Sequence, residues 1–338
     1  MPDKFLLKMN RYFGSKFQLQ PILIVLVFLF SILTSFILLP GKKKKADPYI
    51  YAYHFGDGAS GLHLAWSEDG FKWQLLRNGK SFVKPGIGDY LMLDPHLSQT
   101  PDGMYHLVWA TGQNRKDIGY AYSKNLLEWS GQRLIPVMEK DSLVLNVKSP
   151  ELYFDANGGR FMVYWASTIP GKFKETDKQN DSLPSGYRFN NRIYRKFSDD
   201  LRTWGPTELF FEPGFNCTDA TIGMDSGRVM LLYKDATQIG KNIQNSIKMS
   251  TSSYATGGFS LVPGLVSRRT WAENPTGIRI DSQYVVYFHK YRTRKMGAVA
   301  TKDFKKWNDI SDSLSFPKGI GSGTVMRVPE KILEKLKE

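Results

Sequence analysis

The feature that most constrains this chain is one short phrase that returns along its length. It runs serine or threonine, a variable residue, Asp or Asn, a short spacer, then tryptophan. Copies read SEDGFKW (67–73), SKNLLEW (123–129), SDDLRTW (198–204) and TKDFKKW (301–307), with a degenerate copy, SSYATGGF, ending at Phe259. The closing aromatics are 56, 75, 55 and 48 residues apart. Each copy follows a strand-like stretch such as LHLAW or IGYAY, itself preceded by an apolar run such as MYHLVWAT or RVMLLYKD. Asp102-Gly103, Gly158-Gly159 and Ser226-Gly227 supply turns before three of these runs. A unit of about four short strands, repeated at this period, predicts a β-propeller. Five copies predict five blades, and the SGTVMRV stretch (322–328) predicts a closing strand beside the first blade.

The fold class expected is therefore all-β, a five-bladed propeller over residues 47–329 with a short tail at 330–338. The 75-residue interval holds a polar insert at 170–188, expected to be a surface loop over one face.

Ahead of the repeats, residues 22–39 read ILIVLVFLFSILTSFILL without a charge. As a helix this run spans ~27 Å, close to a bilayer's hydrocarbon core. No small-residue cleavage pattern follows it. The expected layout is a basic segment at 1–20, a transmembrane helix or signal anchor at 21–40 and a Lys-rich linker at 41–46. The propeller then lies outside the cytoplasm, in a bacterial periplasm or on the cell surface, and is secreted if the segment is cleaved. Half of the net +14 charge sits in residues 1–46, with eight Lys/Arg against one acid. The remainder is only mildly basic, which argues against a nucleic-acid partner. The single cysteine, Cys217, excludes an intrachain disulfide, and the five histidines lack metal-ligand spacing.

Four acids stand just before apolar runs: Asp94 in LDPHL, Glu151 in SPELYF, Asp219 in TDATIG and Glu273 in AENPTGIRI. They lie 14, 12, 12 and 12 residues before Val108, Val163, Leu231 and Val285. Taking those runs as the inner strands, that near-common offset predicts one acid at a common height on each of four blades, converging on one channel mouth. Convergent carboxylates repel and raise one another's pKa, so the arrangement implies a use. Metal binding and glycoside hydrolysis are the leading uses. The second needs one carboxylic acid and one carboxylate across a glycosidic bond. Trp109, Trp165 and Trp271, near the same strands, are candidates to stack on sugar faces.

At these residues the chain resembles glycoside hydrolase family 43, five-bladed arabinosidases and xylosidases, over nearly all of 47–328. The segments that carry the resemblance are LDPHLSQTPDGMYHLVWAT, SPELYFDANGGRFMVYWASTIPG, FFEPGFNCTDATI, WAENPTGIRI and FPKGIGSGTVMRVPE. It implies Asp94 as general base, in preference to the Asp-Pro at Asp47, with Asp219 raising the pKa of the general acid Glu273. Glu151 becomes a substrate-contacting or supporting acid. The expected activity is hydrolysis, with inversion, of arabinosyl, xylosyl or galactosyl-type units from plant or algal polysaccharide or oligosaccharide. No cofactor is required, although a central calcium is compatible with the family. The sequence departs from the family pattern at Leu93, Ser149, Asn274 and Ser322. Two other readings stay open: a non-catalytic glycan-binding propeller, and a retaining glycosidase of the fructan or sucrose type.

Overall fold

A computed structural model describes residues 46–268 and 271–338. Among them, five four-stranded antiparallel sheets form the blades. Their innermost strands are Ile320–Arg327, Leu93–Gln99, Lys148–Asp155, Cys217–Asp225 and Ala272–Ile280. The first blade is completed by Tyr49–Phe55, Leu62–Ser67 and Gln74–Leu75. The C-terminal strand pairs with Tyr49–Phe55, so the ring closes as the sequence implies and that sheet edge is covered. The helix Glu330–Lys337 is more than a surface tail. Leu333 and Leu336 are buried against Leu76 and other first-blade side chains. No helix among the described residues is long and apolar enough to cross a membrane, and residues 22–39 lie outside the described residues.

The apolar side chains sort into five clusters, one in each seam between neighbouring blades. Successive side chains of one strand point to opposite faces. Leu107 and Trp109 therefore enter the seam between the first and second blades, while Val108 enters the next. Both faces of the second strand of each blade are covered. This explains why RVMLLY and QYVVYF read as continuous apolar runs rather than as alternation.

The repeated phrase is the turn between the third and fourth strands of a blade. In the first blade the Ser67 hydroxyl accepts from the Gly70 N–H at 2.9 Å, and Asp69 Oδ1 accepts from Phe71 and Lys72 N–H at 2.7 and 2.8 Å. Trp73 Nε1–H then donates to the Gly70 carbonyl at 3.0 Å. Ser123, Asn125 and Trp129 repeat the same bonds, and Ser198/Asp200 and Thr301/Asp303 repeat most of them. The fourth residue of the phrase must adopt positive φ. Gly70 does so freely (φ 79°), whereas Leu126, Leu201 and Phe304 (φ 59–64°) accept that strain and drive their side chains into seams. Multiple N–H donors also hold the Asp200 carboxyl down at about 2.

Gly119 lies under the Trp109 ring, where an added Cβ would come within 2.1 Å of the ring. We expect Gly119→Ala to cost about 1–3 kcal/mol by overpacking that seam. A lowered urea midpoint with an unchanged slope checks this.

Candidate functional site

All five innermost strands shift register near the same end. The shifts lie at Leu93/His96, Lys148/Glu151, Thr218/Thr221 and Glu273/Thr276, and opposite His54 in the first blade. The first inserted residues of the four are Asp94, Ser149, Asp219 and Asn274, with φ of 47°, 46°, 55° and 48°. A bulge of this kind bends the strand and re-aims a side chain. Asp and Asn tolerate the left-handed region; serine adopts it at a greater cost. The bulges thus form a ring of polar side chains at one end of the channel.

This corrects the expected acid register. Asp94 and Asp219 occupy equivalent bulge positions, Glu273 precedes its bulge and Glu151 follows its own. One residue of offset along a strand exchanges its faces, so the four acids do not share one height. Asp94, Asp219 and Glu273 line a cavity of about 950 Å³. Glu151 lies instead in the narrow axial channel with His96 and Thr324. There it accepts a hydrogen bond from the Tyr164 hydroxyl. Asp47 is exposed and lines no part of the cavity.

Within the cavity the Ser149 hydroxyl lies 3.1 Å from Asp94 Oδ2 and 2.7 Å from Asp219 Oδ1. The Asn274 N–H donates to Asp219 Oδ2 at 3.3 Å. Glu273 is held on both oxygens, by Lys234 Nζ at 3.3 Å and His289 Nδ1 at 3.1 Å. These two partners stand opposite the bulge edges on the second strands, since Thr218 pairs with Lys234 and Glu273 with His289.

Burial, then the charges of Asp219 and Glu273, push the Asp94 carboxyl up to about 6. Burial also acts to raise Glu273, but His289 and Lys234 together outweigh it and hold that carboxyl below its ordinary range. The expected elevation of Glu273 by Asp219 is therefore not seen; the repulsion falls on Asp94. Lys234 is raised, because Asp219 and Glu273 more than offset the effect of its burial.

The model of a family described as "Probable glycosyl hydrolase domain", related to glycoside hydrolase family 43, matches residues 45–334. The chain belongs to this family. It is a glycosidase with a family-43-related domain. A search of curated proteins finds no match. Among solved structures, an α-L-arabinofuranosidase from Clostridium thermocellum is similar at 14% identity and TM-score 0.52, covering 86% of this chain and 99% of that one. An α-L-arabinanase from Cellvibrio cellulosa, solved with arabinohexaose, is similar at 13% identity and TM-score 0.52, covering 82% and 99%. An α-L-arabinofuranosidase from Lactobacillus brevis is similar at 15% identity and TM-score 0.51, covering 65% and 72%. At these identities the likeness is one of fold.

Two of the glycosidase's expected sugar platforms are instead core residues. Trp109 and Trp165 are both 0% exposed, Trp109 in the seam between the first and second blades and Trp165 in the next, so neither can meet a sugar. Trp271 flanks the site, but the Arg292 guanidinium covers its ring at 3.4 Å and Tyr291 abuts it edge-on. The aromatic groups that line the cavity are Phe55, Phe189 and Tyr291, and Phe55 is 50% exposed. Phe55, Lys234 and His289 were hidden from sequence reasoning because each ends a run that reads as plain strand. The available signal was a polar or bulky residue at the end of an apolar run. The 170–188 insert forms part of the wall through Asn180, Asp181, Ser182 and Leu183. It is tied to the fourth blade by Asp181 N–H to Gln238 O at 2.7 Å and Asn216 Nδ2 to Asn180 Oδ1 at 3.1 Å.

Among the described residues no three His, Cys, Asp or Glu side chains are arranged to hold a metal ion. Burial pushes the Glu151 carboxyl up to about 8 and lowers His96 to about 3, so both are neutral near pH 7. His96 Nδ1 accepts from the Leu152 N–H at 3.2 Å, which leaves its proton on Nε2, facing Glu151 at 3.6 Å.

A carboxyl that titrates near 4.5 unfolded and about 8 folded favours the folded state only while protonated. Its contribution is complete below the lower value and is lost as pH rises through the upper one. We expect Glu151→Gln to flatten the decline of stability between these limits. Chemical unfolding as a function of pH checks this.

Proposed function

We propose that the protein is an inverting glycosidase that releases terminal arabinosyl, xylosyl or galactosyl-type units from plant or algal polysaccharide or oligosaccharide. The observation that carries this reading is the meeting of Asp94, Asp219 and Glu273, from three innermost strands, in one walled cavity. The arabinan-directed names of the similar solved structures agree with it.

Asp94 acts as general base and takes a proton from the attacking water. Glu273 acts as general acid and protonates the departing oxygen. Asp219 places a second negative charge beside the base and orients the Asn274 backbone. Lys234 and His289 favour ionised Glu273. Burial is nevertheless the largest single influence on that carboxyl, and it acts to raise it. A sugar that displaces water from the cavity strengthens this influence and returns the proton to Glu273. His289 Nδ1, at 3.1 Å, is the neighbour that can exchange it.

Product anomers followed by NMR test inversion directly, and a retained configuration overturns it. Asp94→Asn is expected to lower turnover by about 10²–10⁴-fold on every substrate. Glu273→Gln should cost as much on natural glycosides but far less on aryl glycosides with acidic leaving groups, which need no proton. The base works ionised, so kcat/KM should fall as pH drops below about 6. Asp219→Asn removes a like charge and should move that limb to lower pH.

The same reading puts the propeller outside the cytoplasm, held by residues 22–39, since polymeric glycans do not cross a membrane. Protease added to spheroplasts, in which any outer barrier has been removed, should cleave the domain; full protection there refutes this placement.

A further inference from the structure

We infer that Ser149 is a positioning residue whose hydroxyl couples the general base Asp94 to Asp219, and that it sets the ionisation order of the two. The inference rests on the glycosidase reading of the cavity for its kinetic consequences, but the bridge itself is a property of the fold.

Ser149 Oγ sits between the two carboxyls, 2.7 Å from Asp219 Oδ1 and 3.1 Å from Asp94 Oδ2, and it is almost wholly buried. A hydroxyl carries one proton and two lone pairs, so it cannot donate fully to two carboxylates at once. The shorter contact has the length of a charge-assisted O–H···O bond, which assigns the Ser149 proton to Asp219. The longer contact is then satisfied when Asp94 holds a proton and donates it to Ser149 Oγ. Asn274 Nδ2 also approaches that oxygen, at 3.5 Å. Asp94 is the carboxyl that burial and its two acidic neighbours drive towards protonation. The ordered chain therefore runs from Asp94 O–H to Ser149 O–H to the Asp219 carboxylate.

This arrangement suits a base that changes state once per turnover. While Asp94 is ionised and awaits water, the hydroxyl can swing to donate to it. Once Asp94 has taken the proton of the attacking water, the hydroxyl accepts a hydrogen bond from it and turns its own O–H back to donate to Asp219. A hydroxyl oxygen can both accept from one carboxyl and donate to the next across so small a space. The backbone supports the role: Ser149 holds φ at 46°, a region unfavourable for serine, at the bulge position of its own strand that corresponds to those of Asp94 and Asp219 on theirs. The cost is incurred at the position where the side chain must reach both acids.

The decisive experiment replaces Ser149 by alanine in the full chain and in the Asp219→Asn background. The carboxyl titration of Asp94 is followed by carbon-13 NMR, beside pH profiles of kcat/KM. With the bridge lost, protonated Asp94 loses the oxygen that accepts from it and Asp219 loses its donor. The Asp94 titration, and the acidic limb with it, should move down by about half a pH unit or more. Turnover should fall roughly tenfold with KM little changed. In the Asp219→Asn background the same replacement should move the Asp94 titration much less. A folded Ser149→Ala protein in which Asp94 titrates as in the parent overturns the bridge. An equal shift in both backgrounds overturns the coupling. The NMR readout needs no turnover, so failure of the glycosidase reading, seen as no hydrolysis by the parent chain, is distinguishable from failure of the bridge.

Discussion

Each blade of this propeller has nowhere to bury its second strand except against its neighbours. Val108 packs towards one side and Leu107 and Trp109 towards the other, and every second strand repeats the arrangement. A blade alone would expose both faces, as in other repeat architectures where stability resides in the interfaces. Closure by Ile320–Arg327 is what completes the last seam, joining Tyr49, Tyr51 and Val325 to Val285 and Tyr287. The rigid ring that results can carry strain at its centre. Positive φ at Asp94, Ser149 and Asp219 is tolerated because the surrounding seams leave these residues no alternative.

The bulges convert that rigidity into a site. A regular strand would alternate its side chains between the two seams. The extra residue at each inner-strand end breaks the alternation and turns one side chain to the axis. Two blades use the bulge for carboxylates, one for serine and one for asparagine. The charges are then offset locally: Lys234 is buried between Asp219 and Glu273, so the three carboxylates are not left uncompensated in a poorly hydrated space.

Much of this was legible in the sequence, for definite reasons. The Ser-x-Asp/Asn turn with its tryptophan is a local device, closed by bonds within seven residues, so its copies reveal blade number and order. The Asp-Pro and Pro-Glu pairs were expected just before the inner strands; they stand on the innermost strands themselves, where proline interrupts the ladder at bulges, and the apolar runs are the second strands. Which acids share a height was not legible. A bulge adds a residue without a visible signature, and a count from acid to apolar run cannot tell whether the acid precedes, occupies or follows it. Glu151 shifted into the axial channel for this reason. Trp109 and Trp165 misled for a related one: a tryptophan in a strand with both faces buried has no face left for a ligand. Lys234 and His289 act through cross-strand pairing with bulge edges, which only the register discloses.

The electrostatic division of labour follows from position rather than residue type. Asp94 and Asp219 are equivalent by strand register but differ in their partners, and Asp94 is driven up to about 6. Asp219 accepts from both Ser149 and the Asn274 backbone and lies near Lys234. Asp94 has one shared hydroxyl and the repulsion of two neighbours. An aspartate whose proton affinity lies just below neutrality is ionised often enough to accept a proton and basic enough to keep it through the bond-breaking step. Glu273 stands in the opposite situation: His289 and Lys234 outweigh its burial and hold it below the ordinary range. The partners of the two carboxyls thus push them apart, Asp94 upward and Glu273 downward.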